Sequence, residues 1–163
     1  KIKRTIMSSY LSFYLVPKKT RKTYGYNEED GHTGKEIKIS EGKPILFLAY
    51  SRSSDIYHAY NDILNPAYCG MEEKYTDITV EDSKRVVAEY EKSIKKSEER
   101  LAVSYKMLKE AGYSSELWED IQSTEEYLKE EKSVLDELKF ITFIIEETEK
   151  GFNEFEKVLI NVD

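Results

Sequence analysis

A chain of 163 residues with 39% hydrophobic content is long enough for one domain with a core. With thirteen tyrosines against seven glycines and three prolines, it is too apolar and too aromatic to be disordered. Its charged fraction of 35% exceeds what a small sphere needs and suits long exposed helices. The net charge of −7 is uneven: residues 1–23 hold seven basic side chains and no acid, whereas residues 81–163 hold 22 acidic and 13 basic ones. That balance disfavours broad nucleic-acid binding and leaves only a local basic patch.

Cys69 is the single cysteine, so no intrachain disulfide is possible, and it reads as a small buried hydrophobe in a reducing compartment. No apolar stretch approaches the roughly 20 residues that span a bilayer, and no secretory pattern appears. The expected location is the cytoplasm, without membrane contact.

In chain order, "SSYLSFYLVPKK" places Leu11, Phe13 and Leu15 on one face and Tyr10, Tyr14 and Val16 on the other. This predicts a strand covered on both sides and stopped by Pro17. Residues 18–34 are polar, glycine-punctuated and without period, which predicts a long loop. "KEIKISEGKPILFLAY" reads as a hairpin: Ile37 and Ile39 alternate with lysines, Glu41-Gly42-Lys43 turns, and Ile45 to Tyr50 is a buried strand. Asp55 to Leu64 is helical, with Ile56, Tyr60, Ile63 and Leu64 as its apolar stripe, and Pro66 ends it.

From Thr79 the pattern changes. Thr79 with Asp82 resembles a capping box. Val87, Tyr90, Ile94, Ser97, Leu101, Ser104, Leu108 and Ala111 follow in 3-4 spacing up to Gly112, which suits a left-handed cap. A second helix begins after Ser114, with Leu117, Ile121, Thr124, Leu128, Glu131, Leu135, Leu138, Thr142 and Ile145 as its seam. The short connection predicts an antiparallel coiled-coil-like hairpin over residues 80–111 and 115–148, with Leu101 and Leu128 both buried. Its stripe broadens at Val134, Phe140, Ile141 and Ile144, so this end should be covered on more than one side and sit on the sheet. Gly151 interrupts the helix, and "KVLINVD" closes as a strand through Val158, Ile160 and Val162.

The expected fold class is α+β: a small, mainly antiparallel sheet, one short helix and a long two-helix hairpin. Residues 1–78 form the β-rich part, and residues 79–163 form the hairpin with a strand returning to the sheet, as one structural unit.

Chemistry is sparse. Ser51-Arg52-Ser53-Ser54 joins a strand to a helix start, where free N–H groups, hydroxyls and a guanidinium could hold an anion. No glycine there lets the backbone wrap a phosphate, so a simple helix cap is the leading reading. "KKTRKTYGY" sets Lys18, Lys19, Arg21 and Lys22 beside Tyr24 and Tyr26, a mixture that suits phosphate and stacked bases, although "NEED" follows at once. His32 and His58 lack a ligand spacing, and a Cys69–His58 pair lacks an orienting third group; no metal, cofactor or catalytic set is expected. Glu125, Glu126 and Glu130 read as solvated helix charges. Glu131, on the seam, is the exception, since it could pair with a Lys or Arg of the first helix.

The stretches "MSSYLSFYLVPKK" from Met7, "SYKMLKEAGY" to "SELWEDIQSTEEYLKEE", and the "FEKVLINVD" ending resemble short, tyrosine- and glutamate-rich uncharacterised proteins of bacteriophages and prophages. The resemblance implies a virion accessory or host-directed binding protein, located in the host cytoplasm or the virion, and assigns no catalytic residue. Together these readings favour a non-enzymatic protein–protein interaction protein whose arm and sheet surface meet a protein partner or a second copy. The alternative is a nucleotide- or nucleic-acid-interacting protein whose site joins the 51–54 turn to the basic residues 18–22.

Overall fold

A computed structural model describes residues 10–18, 22–24, 36–38, 42–64 and 75–162. In chain order these form β1 (Tyr10–Pro17), β2 (Lys22–Tyr24), β3 (Glu36–Lys38), β4 (Ile45–Ser51), α1 (Asp55–Leu64), β5 (Thr76–Ile78), α2 (Val80–Ala111), α3 (Ser115–Glu149) and β6 (Phe155–Val162). The fold is α+β, as the patterning predicts. Four strands make an antiparallel sheet in the order β4-β1-β6-β5, and β2 pairs with β3 separately. No helix among the described residues is long and apolar enough to cross a membrane.

The first and last described strands lie side by side at the centre of the sheet. Leu11, Phe13 and Leu15 stand opposite Val162, Ile160 and Val158, so the period-2 apolar faces of β1 and β6 coincide. This face packs against Ile56 and Tyr60 of α1, Val86 of α2, and Leu138, Ile141 and Ile145 of α3. Phe13 meets Tyr60 edge-on, with ring centroids 5.1 Å apart. The opposite face is buried too at Ser12, Val16, Leu159 and Asn161, and Tyr14 stacks edge-on against Tyr75. A strand covered on both sides is what the double apolar character of β1 requires.

The hairpin is bounded by local chemistry. The Thr79 hydroxyl accepts from the Asp82 N–H at 3.1 Å while the Asp82 carboxylate accepts from the Thr79 N–H at 3.2 Å, a complete capping box. Gly112 takes φ +85° and donates its N–H to the Leu108 carbonyl. Ser114 caps α3, and Gly151, at φ +73°, ends it. At the base, Val80 N–H donates to Glu149 Oε1 at 2.8 Å, tying the start of α2 to the end of α3. Lys84–Glu146, Glu91–Lys139 and Glu98–Lys132 ion pairs then cross between the helices, joined by a Tyr105–Glu125 hydrogen bond. Partners recur every seven residues on both helices, running in opposite directions, which is the signature of an antiparallel heptad register.

Several expectations are corrected. β3 does not form a hairpin with β4; it pairs with β2, which lies in the stretch expected to be loop, while β4 pairs with β1. Ile45 and Leu46 of β4 are exposed, Leu46 by 56%, on an edge strand of the sheet. Phe140 points away from the core although it was expected to be covered. In α2 the buried positions near the base are Ser83 and Val86, one step back from Val87 and Tyr90, since this end packs on α1 as well as α3. Leu128 is buried, whereas Leu101 is only half-buried and borders an open groove with it. Pro66, Tyr68 and Cys69 lie outside the described residues, as does His32.

A chain of buried hydroxyls locks the three helices. The Tyr60 hydroxyl lies 2.6 Å from Ser83 Oγ, which lies 2.6 Å from Thr142 Oγ1, and Thr142 donates to the Leu138 carbonyl at 2.9 Å. Because Thr142 spends its one hydrogen on that carbonyl, Ser83 must donate to Thr142 and Tyr60 to Ser83. Burial pushes the Tyr60 phenol up to about 12. A folded-state value above the unfolded one favours the protonated fold, so this contribution is complete below pH 10 and is lost as pH rises toward 12. Between pH 9 and 11 the wild type should therefore lose about 1 kcal/mol more unfolding free energy than Tyr60→Phe, measured by denaturant titration. In the seam, Leu128→Ala should cost roughly 2–4 kcal/mol and Leu101→Ala clearly less, while Glu126→Ala stays within about 0.5 kcal/mol. Equal losses at Leu101 and Leu128 would contradict the asymmetry of the seam.

Candidate functional site

The 51–54 turn is built as a helix start. Ser54 N–H donates to the Ser51 carbonyl at 2.9 Å, closing the turn, and Ser54 Oγ accepts from Ile56 N–H at 3.2 Å. The hydroxyls of Ser51 and Ser53 bond each other at 2.9 Å, and Arg52 is exposed. Asp55 already supplies a negative charge at the dipole end.

The basic residues do not converge on this turn within the described part. Tyr10 stands opposite Ser51, so Lys18 lies about 25 Å away at the far end of β1, at ~3.3 Å per residue. There its ammonium donates to the carbonyls of Asn153 at 2.8 Å and Gly151 at 3.4 Å, a cation at the C-terminal end of α3. Lys22 and Tyr24 belong to β2, and Lys19, Arg21 and Tyr26 lie outside the described residues.

Two features that sequence reasoning did not assemble stand out. The first is a face of α3. Phe140 and Phe143, one turn apart on the side away from the core, are 52% and 53% exposed. Phe152, 72% exposed, follows just past the helix end, where its N–H donates to the Glu147 carbonyl.

The second is a cleft of about 390 Å³ where α1 meets both long helices. Asp55, His58 and Asp62 come from α1, Glu89, Tyr90 and Ser93 from α2, and Tyr127 and Glu131 from α3. Glu131 is only 3% exposed; its Oε1 accepts a long 3.5 Å hydrogen bond from Ser93, and its Oε2 is buried without a hydrogen-bond partner. A Lys or Arg partner from α2 is absent among the described residues: Lys92 pairs with Glu89 and Arg100 with Asp120 instead.

The surrounding phenols register this negative charge. The charge of Glu131, then burial and a side-chain hydrogen bond to Glu131, raise the Tyr127 hydroxyl, and burial followed by the charges of Asp55 and Glu131 raises that of Tyr90. His58 is exposed, its ring edge-on to Tyr57. Among the described residues, no three His, Cys, Asp or Glu side chains are grouped to hold a metal ion. No known protein family, curated protein or solved structure matches this chain.

The capping geometry sets expectations for the turn. Ser54→Ala should cost about 1 kcal/mol, while Arg52→Ala stays within about 0.5 kcal/mol. Sulfate should leave the melting temperature of both unchanged. A sulfate-dependent rise that Arg52→Ala abolishes would mark an anion site there instead.

Proposed function

We propose that this chain is a non-enzymatic protein–protein interaction protein that meets its partner through the outer face of α3 at the base of the arm. The observation that carries the reading is the pair Phe140 and Phe143, two large apolar rings left in water on the face of α3 away from the core, with exposed Phe152 just past the helix end. Phenylalanine has no polar atom to hydrate. Covering the exposed half of one such ring is worth roughly 2 kcal/mol, and aromatic rings are the usual anchors of protein interfaces. The core does not need these residues, because Leu138, Ile141 and Ile145 supply the opposite side of the same helix.

Self-association is the simplest form of this reading, since a two-helix arm can pair with a second copy into a four-helix arrangement. The resemblance to phage and prophage proteins supports a role as a virion accessory or host-directed binding protein.

Light scattering and sedimentation across a concentration series should show association of the wild type. The double variant Phe140→Asp/Phe143→Asp should stay monomeric with an unchanged melting temperature, because both positions are exposed. A wild type that remains monomeric at high micromolar concentration, and that captures the same proteins as the double variant, would remove the reading.

A further inference from the structure

We propose that the cleft between α1, α2 and α3 is a binding site for an alkylammonium cation, a site independent of the phenylalanine face. The starting point is Glu131, 3% exposed with an unpartnered Oε2. A carboxylate withdrawn from water needs a compensating charge or full hydrogen bonding, and two neutral hydroxyl neighbours, Ser93 at 3.5 Å and Tyr127, with Oε2 left unbonded, are neither. No Lys or Arg is among the described residues lining the cleft, and Asp55, Asp62 and Glu89 add negative charge at its rim. Glu89 is partly answered by Lys92 at 2.6 Å. The cleft is thus an acidic pocket whose deepest acceptor is free.

The chemistry of the cation follows from the same atoms. With Oε1 engaged by Ser93, Glu131 offers one oxygen, which suits the compact three-donor ammonium better than the two-pronged guanidinium. Tyr90 and Tyr127 add ring faces and phenol oxygens that favour a cation over water. A metal ion fits less well, because the carboxylates are spread along the cleft rather than grouped around a point. Asp55 and Asp62, seven residues apart on α1, could meet a second ammonium further out. The ligand is therefore an extended amine, either a free polyamine or a lysine side chain of a peptide.

Calorimetric titration at fixed ionic strength tests this with spermidine, a lysine-containing peptide, its arginine counterpart and Mg²⁺. Spermidine or the lysine peptide should bind at one site, and whichever binds more tightly identifies the source. Glu131→Gln should weaken binding roughly 10–100-fold, the loss expected for a charged hydrogen bond. Asp62→Lys, at an exposed position that cannot threaten folding, should abolish it and decides the matter if Glu131→Gln does not fold. Glu116→Gln, in the first turn of α3 at the arm tip, should leave it unchanged. No binding of either amine, equal binding of Mg²⁺ or the arginine peptide, insensitivity to Glu131→Gln and Asp62→Lys, or an equal loss with Glu116→Gln would overturn the proposal.

Discussion

The hydroxyl chain from Tyr60 through Ser83 and Thr142 to the Leu138 carbonyl is the constraint on which the other tertiary features rest. Each of its three side chains belongs to a different helix, and each is buried. Breaking one link would leave a buried polar atom without a partner, which costs more than the bond itself contributes. The chain therefore specifies where α1 docks on the hairpin as well as how strongly. Apolar packing alone would tolerate sliding of α1 along the arm; directional hydrogen bonds would not. Through Phe13, whose ring meets both Tyr60 and Tyr50, the same junction is coupled to the sheet.

The seam between α2 and α3 is unusually polar. Ser104, Thr124 and Glu131 occupy buried positions where a coiled coil would ordinarily carry leucine. Thr124 satisfies itself by donating to the Asp120 carbonyl, and Asp120 in turn holds Arg100. Small and polar side chains at these positions bury little apolar area, so the seam gains little from burial. The exposed ion pairs contribute only tenths of a kcal/mol each, but their seven-residue spacing penalises any shift in register. Register here is a matter of charge pairing more than of core shape.

Much of this was legible in the sequence, and what was not has a common cause. Thr79, Gly112, Ser114 and Gly151 mark helix ends through chemistry confined to a few neighbouring residues, so the hairpin boundaries could be read directly. β1 and β6 declare themselves by alternation over eight residues each. β2, β3 and β5 are three residues long, too short for a period to show; β5 takes its partner from β6, and β2 and β3 pair with each other apart from the main sheet. The turn at Glu41-Gly42-Lys43 suggested a hairpin, but Phe47, Leu48 and Tyr50 find the core beside β1 instead. Glu131 was visible as an oddity in the seam. Its missing partner follows from the α2 cations, since Lys92 has Glu89 three residues away and Arg100 is held by Asp120 across the seam.

The placement of Glu131 is the point at which fold and site meet. A two-helix seam is open on both flanks, so a carboxylate within it would normally reach water. Complete withdrawal needs a third wall, and the cleft has one because α1 closes against α2 and α3 with Tyr90 and Tyr127 beside it. That wall is held by Tyr60, two turns from the Ser54 cap that starts the same helix. A leucine in place of Glu131 would continue the seam past Leu128 and remove the buried acceptor at no evident cost to packing. The fold therefore uses its most directional interaction to shield a charge that stability does not require, and shielding of this kind sharpens the electrostatic pull on any cation that enters.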